Sequence, residues 1–150
     1  MISYLAARPS KTILGAAHQQ ITSAWWERRD EFELVVSESV LRECGAGDPE
    51  AAQRRLGIVA DMPLLLINER ALHIAEALVG QGIVPAKAAE DALHIAVATI
   101  HGVDYLLTWN CRHIANPEIQ RNIAAYLEQI SLFLPFICTP EELLGEENAE

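Results

Sequence analysis

Residues 90–113 read EDALHIAVATIHGVDYLLTWNCRH, and this stretch decides how the fold of the chain is interpreted. Two acids come first, and the alanine-rich run 92–100 that follows favours a helix with an apolar face. Gly102 predicts the end of that helix, because glycine readily adopts the left-handed conformation that a helix exit needs. The apolar run 105–107 then predicts a short strand that is covered on both faces.

Polar residues follow this predicted strand, at the place where open α/β sheets bind their ligands. Thr108, Trp109 and Asn110 come directly after the strand, at its carboxyl end. Asp91 reaches the same edge if its helix begins close to it, and Pro85 with the alanines behind it predicts such a start. The stretch therefore predicts a polar site at one edge of a sheet.

Short apolar strands alternate with longer helices along the rest of the chain. Strands are predicted at 32–36, 63–67, 105–107 and 134–138, and helices at 11–29, from Ser37 or Ser39 to about 44, at 49–59, 69–79 and 117–130, and after Thr139-Pro140. This alternation is typical of a parallel sheet with helices on both faces. No repeat or linker divides the chain, so we predict one α/β domain over 1–140 and an acidic tail over 141–150.

Composition favours a protein of the reducing cytoplasm that does not enter a membrane. Hydrophobic residues make up 51% of the 150 residues, but no apolar run approaches the length of a membrane-spanning helix, and no signal peptide is visible. Cys44, Cys111 and Cys138 are odd in number and widely spaced, which favours free thiols. Cys111 and His113 could be half of a zinc site, but no second half has suitable spacing.

The formal charge of −10 counts against a nucleic-acid-binding protein, since contacts to phosphate need basic side chains. Nine of the eleven basic residues are nevertheless arginine. Two arginine pairs, Arg28-Arg29 and Arg54-Arg55, show that local basic patches are possible in an acidic chain.

Two acids near the ends of different predicted strands could bind a metal ion and take part in catalysis. Glu43 follows the first predicted strand and Asp91 precedes a later one, so a doubly wound sheet can bring them together. Carboxylates that meet repel one another by about 4 kcal/mol at 4 Å with an effective dielectric near 20. A site that gathers them normally holds a divalent cation such as Mg²⁺ or Mn²⁺, which can activate water for displacement at phosphorus.

Each candidate also has an interpretation without chemistry. Glu43 could be a solvated helix residue, and Asp91 could merely stabilise the positive end of its helix. Asn110 is a common turn residue, and His94 lies on an apolar helix as a core histidine would. No glycine-rich phosphate loop, nucleophile elbow or HExxH helix accompanies them.

Three segments, taken in order, resemble the PIN domain family and particularly the VapC-like toxins of bacterial toxin–antitoxin pairs. ISYLAARPS (2–10) is similar to the tail of the family's first motif, and VVSESVLRECGAGD (35–48) to the second. The third segment, EDALHIAVA (90–98) followed by DYLLTWN (104–110), is similar to the third and fourth motifs. Glu43 matches the glutamate of the second motif, Asp91 the aspartate of the third, and Thr108 and Asn110 the Thr-x-Asp of the fourth.

The resemblance implies a three-layer α/β/α fold with a short central parallel sheet and the activity of a metal-dependent endoribonuclease. Glu43 and Asp91 would hold Mg²⁺ or Mn²⁺, with Thr108 and Asn110 as the polar remainder of the catalytic set. The implied partners are an RNA substrate, a cognate antitoxin protein and a second copy of the chain. Arg42 and Arg112 are candidates for contacts to the RNA backbone.

The chain departs from the family pattern at two motifs. The acid of the first motif would precede Ile2, and the acid of the fourth is Asn110, which keeps an oxygen but loses a charge. We therefore expect an incomplete first strand, a natural start upstream of Met1 and a weakened metal site. The alternatives are a non-catalytic binding module with the PIN-like fold, or an unrelated flavodoxin-like fold if Glu43 and Asp91 lie far apart.

Overall fold

The computed structural model describes residues 1–109 and 116–145, which fold into two compact units. The first unit comprises Met1–Leu64 together with the segment from Thr139 onward, and the second comprises Leu65–Cys138. None of the helices formed by the described residues has the length and apolar character needed to cross a membrane.

The first unit is mainly helical. Its elements are α1 (Ile2–Ala6), α2 (Ile13–Glu27), β1 (Val36–Ser37), α3 (Glu38–Cys44), α4 (Pro49–Val59) and α8 (Pro140–Leu144). Helix α1 packs against α2 and α4, α3 packs against α4, and α8 packs against α2. The short strand β1 pairs with β2 (Leu64–Leu65), and the Val36 amide donates a hydrogen bond to the Pro63 carbonyl at 3.0 Å.

The helices of this unit begin where polar side chains accept hydrogen bonds from free backbone amides. Ser37 caps α3, Asp48 caps α4 ahead of Pro49, and Thr139 caps α8 through a reciprocal bond pair with Glu142. These starts confirm the sequence prediction.

Helix α2 begins two residues later than predicted, because its cap is a different residue. Thr12, not Ser10, accepts the Gly15 amide at 3.1 Å. The backbone amide of Ser10 instead donates to the side chain of Gln19.

The second unit contains the larger hydrophobic core. Its elements are α5 (Glu69–Gly80), α6 (Ala89–Ile100), β3 (Tyr105–Leu107), α7 (Pro117–Gln129) and β4 (Phe136–Cys138). Strands β3 and β4 are parallel, with Tyr105 opposite Phe136 and Leu107 opposite Cys138. The core that α5, α6 and α7 share is made of buried apolar side chains, including Ile74, Leu78, Ile95, Val97, Ile123 and Leu127.

The structure confirms an α/β protein with short parallel strands and corrects several strand predictions. The strands predicted at 32–36 and 63–67 shrink to two residues each, Val36–Ser37 and Leu64–Leu65. The expectation of a partial strand at Ile2–Leu5 is wrong, because Ile2–Ala6 is helical. A helix satisfies its backbone internally, whereas a strand needs a neighbour. The described strands form two two-stranded sheets, and the three-layer arrangement remains a prediction.

Candidate functional site

The first turn of helix α6 carries two adjacent acids. Pro85 leads into a single 3₁₀ turn, Ala86–Ala88, and α6 begins directly after it at Ala89. Glu90 and Asp91 therefore lie at the amino-terminal end of α6, where the helix dipole stabilises carboxylates. The prediction that Asp91 lies at a helix start is confirmed.

His94 lies one turn further along α6 and approaches the side chain of Glu90. Residues four apart on a helix share a face, and a carboxylate oxygen of Glu90 and a ring nitrogen of His94 lie within 4.8 Å. Glu90 is exposed, whereas Asp91 and His94 are half-buried. His94 is therefore at the margin of the core and not inside it, and its ring faces an acid.

The opposite face of α6 fixes this turn in place. Ala92, Ile95 and Ala96 are almost fully buried in the core, and Ile95 is only 1% exposed. Helix α6 packs extensively along α5. Because this apolar face is locked, the backbone that carries Glu90 and His94 is held rigidly at the surface of the second unit.

Thr108 marks the carboxyl end of strand β3. Its backbone amide donates to the carbonyl of Cys138 at 2.9 Å and extends the pairing of β3 with β4 by one residue. The predicted position of Thr108 at a strand end is thus confirmed. Asn110 and Arg112, which the sequence also indicates as site residues, lie outside the described residues.

In the first unit, Glu43 lies in the last turn of α3 and is exposed. Its neighbour Cys44 is buried, and burial raises the pKa of this thiol. The positive charge of Arg55 acts in the opposite direction, whereas the negative charge of Glu43 raises the thiol pKa further. Burial also lowers the pKa of the Met1 amino group, against the attraction of Cys44 and Glu43. The carboxylate of Glu43 therefore belongs to a small cluster of ionisable groups. Arg42, on the same helix, is exposed.

By chemical type, the carboxylates of Glu43 and Glu90 and the imidazole of His94 are groups that could hold a metal ion. Carboxylate oxygen suits Mg²⁺ and Mn²⁺, whereas imidazole nitrogen suits transition metals. Neither Glu90 nor His94 was selected from the sequence as a candidate metal ligand. The signal that could have found them is their four-residue spacing on a predicted helix.

No protein-family model, no curated protein and no solved structure matches this chain. The fold and the site therefore define only a class of protein: an α/β protein in which a rigid helix carries carboxylate and imidazole side chains. Its activity has to be argued from those side chains.

Proposed function

We propose that the chain is a metal-dependent endoribonuclease of the PIN type, related to the VapC-like toxins. The observation that carries the proposal is the amino-terminal half of α6, where Glu90, Asp91 and His94 offer carboxylate and imidazole side chains on one rigid helix. The order of the four sequence motifs supports it, since Asp91 and Thr108 occupy the helix start and strand end that the resemblance requires.

In this proposal Glu43 and Asp91 hold Mg²⁺ or Mn²⁺, Glu90 and His94 are further candidate ligands, and Thr108 and Asn110 complete the polar set. The bound ion would supply Lewis-acid chemistry, lowering the pKa of a water molecule and balancing charge on the phosphate. The water oxygen would bond to phosphorus as the bond from phosphorus to the leaving ester oxygen breaks; the water would lose a proton to solvent and the leaving oxygen would gain one from solvent. The hydroxyl of Thr108 is suited to donate a hydrogen bond to a phosphate oxygen. The side-chain amide of Asn110 is suited to orient the RNA strand through hydrogen bonds.

The imidazole of His94 gives the proposal a preference between the two metals. Mg²⁺ is a hard cation that takes oxygen ligands, whereas Mn²⁺ accepts nitrogen more readily. With His94 beside Glu90, we expect Mn²⁺ to support the reaction better than Mg²⁺.

The proposed partners follow from the same resemblance. They are an RNA substrate, a small cognate antitoxin that covers the acidic site, and a second copy of the chain. We propose a cytoplasmic location, which fits the free thiols of Cys44 and Cys138.

A binding module without catalysis is the second candidate function. Asn110 favours it, because an amide in place of the fourth acid removes a negative charge from the metal ligands. The two candidate functions differ in whether RNA is cleaved. A binding module binds RNA or protein but forms no cleavage product when a metal ion is added.

Cleavage of labelled RNA with Mn²⁺, Mg²⁺ or a chelator tests the proposal. The main variant is Asp91→Asn, which keeps the shape of the side chain and removes its charge. The matched control is Asp104→Asn, an exposed acid at the amino end of β3. We expect Mn²⁺-dependent cleavage that Asp91→Asn reduces by about 100-fold, as loss of a metal-site residue does, and that Asp104→Asn leaves unchanged.

Two results would contradict the nuclease proposal. One is equal activity of the two variants, which would show that the reaction does not depend on Asp91 of α6. The other is a wild-type chain that neither cleaves RNA nor melts at a higher temperature with Mn²⁺. The second result would leave the binding module as the better function.

A further inference from the structure

The first unit contains a solvent-open cavity of about 300 Å³ between α1 and α4 that neither candidate function uses. Three arginines line it, Arg8, Arg54 and Arg55, and its remaining wall is made largely of small apolar side chains, Ala6, Ala7 and Ala51. Pockets of this size with an apolar wall and a few convergent polar groups are typical ligand sites.

Backbone contacts hold two of these guanidinium groups at the cavity. Arg54 donates from Nε to the Ala6 carbonyl at 3.2 Å, and Arg55 donates from Nε to the Cys44 carbonyl at 3.1 Å. Arg55 also donates from Nη2 to the carbonyl of Ala46. These bonds fix the position of each guanidinium group, while its other N–H donors remain available. Such pre-organisation makes binding by arginine specific.

The third guanidinium, that of Arg8, forms no hydrogen bond or ion pair with any described residue. The arginines also have little local compensation in charge. Arg54 lies 3.5 Å from Glu50, but the side chain of Glu50 is 75% exposed, so solvent screens this pair. Within residues 1–109 and 116–145, no ion pair of Arg8 or Arg55 with an acid is found.

We propose that this cavity binds phosphate esters, with the three arginines on the phosphate and the alanine wall against the attached sugar. Like charges that share a cavity repel one another, and an anion between them removes that repulsion. The planar fork of arginine matches two phosphate oxygens at once. The volume exceeds what an inorganic anion fills, and the apolar wall gives the organic part of an ester a surface to pack on.

The same chemistry can come from a free nucleotide or from one nucleotide of an RNA strand. The cavity lies wholly within the first unit, so the inference does not depend on the metal ligands of α6 or on RNA cleavage. If the nuclease proposal is also correct, the cavity provides the substrate strand with a contact in the first unit.

Binding measurements in a chelator, where no metal-dependent cleavage can occur, test the inference. The probes are inorganic phosphate, adenosine monophosphate and a short labelled uridine oligonucleotide. Arg8→Gln is the main variant, because its side chain supports no described contact and its loss leaves the fold intact. Arg121→Gln is the matched control, with the same change of charge on an exposed residue of α7.

We expect adenosine monophosphate to bind more tightly than inorganic phosphate, and Arg8→Gln to weaken that binding about tenfold or more, as loss of a charge-assisted hydrogen bond does. For the oligonucleotide, Arg8→Gln lowers the slope of log affinity against log salt by about 0.7, the value for one phosphate contact on a single strand. Arg8→Lys, which keeps the charge and loses the fork, gives an intermediate loss.

Each outcome decides the matter. Binding of the mononucleotide alone identifies a nucleotide site, and binding of the oligonucleotide alone identifies a strand site, provided that Arg8→Gln weakens it and Arg121→Gln does not. Equal effects of Arg8→Gln and Arg121→Gln would show attraction by charge in general and overturn the inference. Failure of all three probes to bind the wild-type chain would overturn it as well.

Discussion

Two leucines on helix α5 provide a direct test of the core that supports the candidate site. Leu78 is 0% exposed and Leu72 is 43% exposed, so the same substitution on the same helix removes the same atoms from different surroundings. Leu78→Ala deletes three buried carbon groups, which amount to about 2.4 kcal/mol at about 0.8 kcal/mol each. The cavity left behind raises the loss to about 3–4 kcal/mol.

Leu72→Ala costs less, because water already reaches the side chain and no closed cavity forms. We expect a loss of about 1 kcal/mol there. The free energies of unfolding of the two variants should therefore differ by about 2–3 kcal/mol, which is about 4–12 °C in melting temperature for a chain of this size. Urea unfolding followed by circular dichroism measures the difference, with tryptophan fluorescence as a second probe.

Equal losses for Leu78→Ala and Leu72→Ala would refute the reasoning. They would show that the contact between α5 and α6 is not a closed core. The rigid presentation of Glu90, Asp91 and His94 would then lose its physical basis, since the locked apolar face of α6 is what holds their backbone.

Two further predictions concern the end of α5 and the buried thiol. Gly82→Ala should destabilise the protein by about 1 kcal/mol, because Gly82 has a φ of +73°. Gly80→Ala should instead stabilise it by about 0.5–1 kcal/mol, because Gly80 is the last helical residue of α5. Melting temperatures that are both above or both below that of the wild type would contradict this. Burial raises the pKa of Cys44 in the folded state, so its contribution to stability is present below the unfolded value of about 8.5 and is lost as the pH rises through the folded value. Cys44→Ala should therefore flatten the decline in urea midpoint at alkaline pH, and an unchanged decline would show that other groups cause it.

Helix starts were predictable from the sequence because capping is local chemistry. Asp48-Pro49, Asn68 and Asn116-Pro117 each place a side-chain acceptor directly before the helix that it caps. Strands were predicted less well, because pairing depends on distant partners. The segment 32–36, rich in Val and Leu, has the composition of a strand, yet only Val36 of it pairs, together with Ser37.

The same distinction between local and distant interactions decides which parts of the candidate site could be predicted. The positions of Asp91 and Thr108 follow from a helix start and a strand end, both of which local sequence marks. The approach of Glu90 to His94 also follows from helix geometry, but the apolar character of α6 favours a core position for His94. The cavity of Arg8, Arg54 and Arg55 could not be predicted, because it depends on the packing of α1 against α4.

An acidic chain can still bind a polyanion if its few cations are concentrated. The formal charge of −10 acts at long range, where salt screens it beyond about 8 Å at physiological ionic strength. Contacts between a guanidinium and a phosphate act at hydrogen-bond distance, where screening is weak. In the proposed function the net charge would slow encounter with RNA, whereas in the proposed phosphate site the three arginines of the cavity would determine how tightly a phosphate is held.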